Sequence, residues 1–281
     1  VYFWSNHLTV SVDRAVVSPF AVAYENEAIR PYVFGRFADM LLASARHPAM
    51  LLYLDNIRSF GPNSQAVQRG AGRGNNPERP KGLNENYARE LMELHTLGVD
   101  GGYTQTDVRT LAKILTGWSL DRERGGFLFR APVHEPGAQS ILGRTFADAG
   151  EQQGVKAIEY LATHPATAKH IARKLAQHFI ADDPPQSAIN ALAHSFMQTG
   201  GDLAAVTHTL IGLPEAWGEQ PLKYKSPHEH VVSAFRALGL NDIDEGIVQS
   251  YEVLGQRAFG APSPQGWPDA QDKWLSGDGL M

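Results

Sequence analysis

The chain has 281 residues, with 25 Lys and Arg against 30 Asp and Glu and a 43% hydrophobic content, enough for one large domain or two small ones. A net charge of −5 and a pI near 6.1 argue against a general nucleic-acid binder, which would need a basic face. The absence of cysteine excludes disulfides, thiolate metal sites and a cysteine nucleophile, and no run of about 18 apolar residues offers a membrane span.

No signal peptide is visible, and Val1-Tyr2-Phe3-Trp4 opens without Met inside an apolar helical pattern. The chain therefore reads as the core of a longer protein whose targeting cannot be judged directly. Helical periodicity dominates from the first residues to the last quarter of the chain. It predicts helices over 1–9, 33–45, 48–57, 84–97, 105–118, 152–163, 166–180, 186–198, 202–212, 227–238 and 243–256. His47-Pro48-Ala49 and His164-Pro165-Ala166 each place Pro in a helix's first turn and point to shared capping chemistry. Thr104 and Asp107 have capping-box spacing, and Asp202 follows Gly200-Gly201 into the next helix. The predicted fold is mainly α, a multi-helix single domain. Two stretches break the pattern. Residues 69–82 are rich in Gly, Pro, Arg and Lys and read as an exposed, mobile loop, with neither the ending nor the preceding strand of a P-loop. Residues 121–149 read as an irregular insert, with a short β-hairpin near 127–143 around a Pro-Gly turn. Residues 258–281, rich in Gly, Pro, Trp and Asp, are expected to wrap the surface without regular structure.

The segment from Gly82 to Gly98 carries the most information. Read as an α-helix capped by Asn84 and closed by Gly98, it places Tyr87, Leu91 and Leu94 on the core face, with His95 turned inward beside them. Asn86, Glu90 and Glu93 form a second stripe roughly opposite. Residues 84–105, Asn-Glu-Asn-Tyr-Ala-Arg-Glu-Leu-Met-Glu-Leu-His-Thr-Leu-Gly-Val-Asp-Gly-Gly-Tyr-Thr-Gln, closely resemble the signature of a bacterial family of unknown function, DUF1800. Further blocks agree: Phe3-Trp4-Ser5-Asn6-His7, Tyr24-Glu25-Asn26-Glu27 with Ile29-Arg30-Pro31, His47-Pro48-Ala49-Met50-Leu51, Leu115-Thr116-Gly117-Trp118, His134-Glu135-Pro136-Gly137, Arg173-Lys174-Leu175 with His178-Phe179, and Gly260-Ala261-Pro262-Ser263-Pro264. The resemblance runs through nearly the whole chain and implies an exported, periplasmic or extracellular protein. It brings no mechanism with it.

Eleven histidines without cysteine suit a metal or acid–base site built from His and carboxylates, although no His-Glu-x-x-His or Glu-x-x-His occurs. Any such site must be assembled from distant segments. The candidate catalytic residues are His95, Glu90, His7, His134 and Glu135, with Asn84, Asn86, Arg89, Trp4 and Asn6 orienting substrate. On the helix that begins at Pro165, His170, Lys174 and His178 recur every four residues and could face an anionic group; Lys174 and His178 are assigned to substrate binding. Trp118, Trp267 and Trp274 would suit stacking on sugar rings, or core packing. There is no haem, nucleotide or thiolate-metal motif; the cofactor is unknown and a divalent metal fits the residue types. Two readings remain open. One is an exported enzyme whose His and carboxylate pocket acts on a carbohydrate or anionic polymer. The other is a non-catalytic binding or assembly protein in which buried polar residues hold helices in register.

Overall fold

The structure, a computed structural model, describes residues 1–70, 82–121, 123–218, 223–240 and 245–275. The fold is mainly α. Its helices are α1 (Tyr2–His7), α2 (Ala21–Tyr24), α3 (Phe37–Arg46), α4 (Pro48–Tyr53), α5 (Gln65–Gly70), α6 (Asn86–Glu90) and α7 (Gln105–Ile114), then α8 (Glu151–Ala162), α9 (Pro165–Phe179), α10 (Gln186–Gln198), α11 (Leu203–Gly212), α12 (Pro227–Ala237) and α13 (Glu245–Val253). The core joins α1, α3, α4, α6 to α11 and the β segment through side chains such as Phe37, Met40, Leu51, Tyr87, Leu111, Trp118, Ile158 and Phe196. Helix α10 packs between α9 and α11, while α3 and α7 both lie on α8. No helix among the described residues is long and apolar enough to cross a membrane.

Local capping agrees with the residue chemistry. Thr104 and Asp107 exchange both bonds of a capping box at the start of α7, and the Asp202 side chain accepts from Ala205 N at the start of α11. The two His-Pro-Ala segments share one device: Nδ1 of His47 accepts from Ala49 N at 3.1 Å, and Nδ1 of His164 from Ala166 N at 3.2 Å. Each imidazole acts as the N-cap that Ser or Asp usually provides.

Several boundaries differ from expectation. The helix predicted over 84–97 begins at Asn86, and from Leu91 to His95 it widens into a π-helix. The widening turns Met92 inward beside Leu91 and His95, and leaves Leu94 only half-buried. Thr96 Oγ1 donates to Leu91 O at 2.6 Å, and Gly98 N donates to Met92 O at 3.2 Å, so carbonyls freed at the widened end are used. Residues 18–32, not expected to be helical, form a 3₁₀ turn, α2, a second π segment (Glu25–Ile29) and another 3₁₀ turn. Helix α7 stops at Ile114 because Gly117, at φ +89°, turns the chain into a strand. The insert holds two hairpins instead of one. Strands β1 (Trp118–Leu120) and β2 (Phe127–Phe129) pair, as do β3 (Gln139–Ile141) and β4 (Arg144–Phe146). Leu142 and Gly143, both at positive φ, make the two-residue turn that closes the second hairpin locally, so Phe127–Phe129 finds its partner upstream. The C-terminal segment from 258 to 275 is irregular apart from one 3₁₀ turn at Gln271–Lys273. Residues 71–81, the body of the expected mobile loop, lie outside the described residues.

Candidate functional site: clefts beside the first helix

Three successive residues of α1 reach three distant parts of the chain. Ser5 Oγ donates to Glu25 Oε2 at 2.8 Å, at the start of the Glu25–Ile29 π segment. Asn6 binds the main chain of Trp267 at both ends, accepting from its N at 2.6 Å and donating to its O at 2.8 Å. His7 Nε2 donates to His95 O at 3.1 Å, at the end of the Leu91–His95 π segment. A carbonyl only accepts, so this contact fixes the proton on Nε2. Trp4, just before them, is a core residue packed on Phe3 and Phe37.

The imidazoles of His7 and His95 lie 6.3 Å apart between ring centroids, and His170 joins them 6.0 Å from His7. His170 Nε2 donates to Leu94 O at 3.0 Å. His7 is 4% exposed and His95 1%, so the rings are enclosed. Burial drives all three below the ordinary histidine value. For His95 the nearby His170 adds to burial and the result is about 3, so all three are neutral at pH 7. His95 Nε2 has no hydrogen-bond partner among the described residues.

No hydrogen bond or ring contact among the described residues joins His134 to this cluster. Its Nδ1 donates to Thr116 O at 2.8 Å, its ring packs on Phe129, and its Nε2 is buried without a partner among the described residues. Glu135, 2% exposed, accepts from Asn63 N at 2.8 Å and Asn63 Nδ2 at 2.7 Å. Asn84 donates to Asp55 O at 3.2 Å and accepts from Asn86 N at 2.9 Å, while Asn86 Nδ2 donates to Leu54 O at 3.4 Å. Arg89 donates to Gln105 at 2.9 Å and lies against Glu85. Glu90 is half-buried; burial raises its carboxyl, Glu93 adds to the rise and Arg89 opposes it. Among the described residues no group of three or more His, Asp or Glu is placed to hold a metal ion.

The cationic row on α9 does face an anion, and that anion belongs to the chain. Asp269, in the C-terminal segment, lies 2.6 Å from His178 Nδ1 and 3.8 Å from Lys174 Nζ. The facing side chains of His178 and Asp269 are 8% and 10% exposed. Burial alone would raise the Asp269 carboxyl, but the His178 hydrogen bond and the charges of His178, Lys174 and Lys223 hold it below its ordinary value. Asp269 is thus ionised and can only accept, which places the proton of a neutral His178 on Nδ1.

Two adjoining clefts open beside α1. The first, about 210 Å³, is lined by Tyr2, Ser5, Asn6 and Glu25 on one side and by Tyr251, Gln256, Arg257 and Trp267 on the other. The second, about 600 Å³, is lined by Phe3, His178, Lys225, Glu229, Ser233 and Arg236. Tyr2 and His228 line both. Their rings stack at 4.1 Å, and Tyr251 stacks on the other side of His228 at 5.3 Å. Gln256 locks this wall, donating to the Tyr2 hydroxyl at 2.6 Å and accepting from His228 N at 2.7 Å. Of the tryptophans considered for stacking, Trp118 is fully buried, Trp267 lines the first cleft, and Trp274 lies against Trp267 at 5.9 Å. Sequence reasoning missed Tyr2, His228, Tyr251, Gln256 and Asp269. The Asp and Trp content of the C-terminal segment was the one signal that pointed near them.

A family described as "Protein of unknown function (DUF1800)" matches residues 1–281, and the chain belongs to that family. Neither the curated proteins nor the solved structures contain a significant match.

Proposed function

We propose that this member of the DUF1800 family binds a carbohydrate in the cleft between α1 and the C-terminal segment. One observation carries the reading: aromatic rings of Tyr2, Tyr251 and Trp267 share a single cleft with Ser5, Glu25 and Gln256. Sugars present an apolar ring face edged by hydroxyls, and aromatic rings beside planar polar groups complement both. The polar groups are also fixed in advance. Arg30 holds Glu25 through Oε1 at 2.6 Å, Ser5 holds the other oxygen, and Gln256 is held at both ends. Such preorganisation lowers the ordering cost of binding. An anionic polymer fits less well, because Lys174 and His178 already face Asp269 and Arg257 is paired with Asp13. The family resemblance extends the proposal to an exported setting, where glycans are met.

The polar residues singled out along the sequence take structural roles in this reading. His7, His134, Glu135, Asn84 and Asn6 each bond to another segment, and His95 is enclosed with its neighbours. That favours a binding protein over an enzyme centred on His95.

Calorimetric titration of the full chain with a panel of neutral and acidic hexasaccharides tests the reading. At least one is expected to bind, with affinity about tenfold lower in Tyr251→Ala and Trp267→Ala, the loss of one aromatic contact. Absence of binding across the panel, or binding indifferent to both substitutions, refutes it.

A further inference from the structure

The second cleft carries a feature that a binding protein does not need. His178 lines it, and the ring is held from behind by a nearly buried carboxylate at 2.6 Å. Because Nδ1 is committed to Asp269, Nε2 is the nitrogen left to exchange a proton, and it has no hydrogen-bond partner among the described residues. This is how an imidazole is set up as a general base, with its tautomer and orientation fixed by a second group.

The other lining groups narrow the reaction class. Glycoside hydrolysis needs two carboxylates across the scissile bond. The carboxylate lining this cleft is Glu229, which accepts from Ser226 N at 2.9 Å in a capping box at the start of α12. The cations Lys225 and Arg236 line the same space, and Ser233 Oγ accepts from Lys225 Nζ at 2.9 Å. An imidazole base backed by a carboxylate, with cations beside it and Glu229 held in its cap, suits transfer of an acyl group to water, where negative charge builds on a carbonyl oxygen.

We propose that His178 is the general base of an esterase centre that removes acyl groups from the hydroxyls of a carbohydrate. The acyl part stands alone; the carbohydrate part rests on the reading that the adjoining cleft binds a sugar, through the shared wall of Tyr2 and His228. In the reaction, Nε2 takes a proton from water as the water oxygen bonds to the acyl carbon. The tetrahedral oxyanion forms near Lys225 and Arg236. It collapses with cleavage of the bond from acyl carbon to sugar oxygen, and the departing alkoxide takes the proton from Nε2. The products are a carboxylic acid and a free sugar hydroxyl. His178 is the catalytic residue, and Asp269 acts through it as a positioning residue.

The test uses the full chain with two probes, p-nitrophenyl acetate and an acetylated xylo-oligosaccharide, with kcat and KM measured across pH. Both probes are expected to be hydrolysed, with a kcat/KM that depends on pH. The groups around the ring that shape the profile are Asp269 with Lys174 and Lys223 behind it, and Tyr2, Lys225, His228, Glu229 and Arg236 in the lining of the cleft. His178→Gln should lower kcat on both probes by about 100-fold or more. Asp269→Asn should lower kcat and move the midpoint of the pH profile down, and Asp269→Glu should recover both in part; a purely structural role would leave the midpoint in place. Lys225 is exposed, so Lys225→Met guards against misfolding in the buried variants; it should lower kcat by about tenfold at unchanged KM. No turnover of either probe, or turnover unaffected by His178→Gln and Lys225→Met, overturns the proposal. Turnover of p-nitrophenyl acetate alone, lost in His178→Gln, overturns the carbohydrate part and leaves the base assigned.

Discussion

Replacing His95 with Leu tests whether the enclosed imidazoles govern stability. In the unfolded chain His95 titrates near 6.5; in the folded chain burial and the neighbouring His170 hold it near 3. Below pH 6.5 the unfolded state therefore binds a proton that the folded state refuses, and stability falls as pH falls until the folded group also titrates. The slope for one fully shifted group is about 1.4 kcal/mol per pH unit. From about pH 7.5 to pH 5, His95 alone should remove about 2 kcal/mol of folding stability. His7 and His170 are shifted in the same direction by burial and steepen the fall. His95→Leu keeps the main-chain carbonyl that His7 uses and removes one titrating group. Urea unfolding across this pH range at fixed ionic strength is the assay. The wild-type curve should drop more than the variant's, by about 2 kcal/mol at the acid end. Parallel curves would refute the argument, because they would mean that His95 is protonated equally in both states.

Three further changes probe the framework around the clefts. An added Cβ at Gly154 would sit 2.6 Å from the ring of the fully buried Trp118, so Gly154→Ala should destabilise the chain by about 1–3 kcal/mol from overpacking, partly offset by about 1 kcal/mol of helix propensity; urea midpoints report the sum. Asn6→Ala removes both bonds to the Trp267 main chain and should cost about 1–3 kcal/mol, with faster limited proteolysis in 258–275 than in the wild type; unchanged proteolysis would contradict the anchoring role. Thr104→Ala breaks the capping box of α7 and should cost about 1 kcal/mol in the same unfolding assay.

Features whose partners lie close in sequence were legible in advance. The Thr104–Asp107 box, the Asp202 cap and the His-Pro-Ala starts each close within three residues, and the sequence contains both partners. The π segments were not legible, because a 3.6-residue period describes Leu91–His95 well enough on paper. The wider turn goes together with the use of Leu91 O by Thr96 and the burial of Met92 with His95, contacts that depend on packing. The inward turn of His95 is readable from its neighbours, but its companion His170 lies on another helix, where its spacing groups it with Lys174 and His178. Asn6 pairs with a residue 261 positions away, and no periodicity links the two. Asp269 was hidden for the same reason. Lys174 and His178 signalled an anion, but nothing local showed that the chain supplies it.

The enclosed polar residues and the open clefts are parts of one construction. Helix α1 has six residues, too few to hold a helical conformation unaided. Ser5, Asn6 and His7 tie it to both π segments and to the C-terminal segment, and those bonds decide where Tyr2 stands. Tyr2 in turn forms, with His228, the wall that both clefts share. A binding wall must be held to within a fraction of an ångström to give affinity, and short helices achieve that only through partners from elsewhere. The structural role of His7 and Asn6 and the placing of the proposed ligand site are therefore one physical requirement. Asp269 completes the same pattern: its segment is pinned through Trp267 to α1, and its carboxylate orients His178 in the lining of the second cleft.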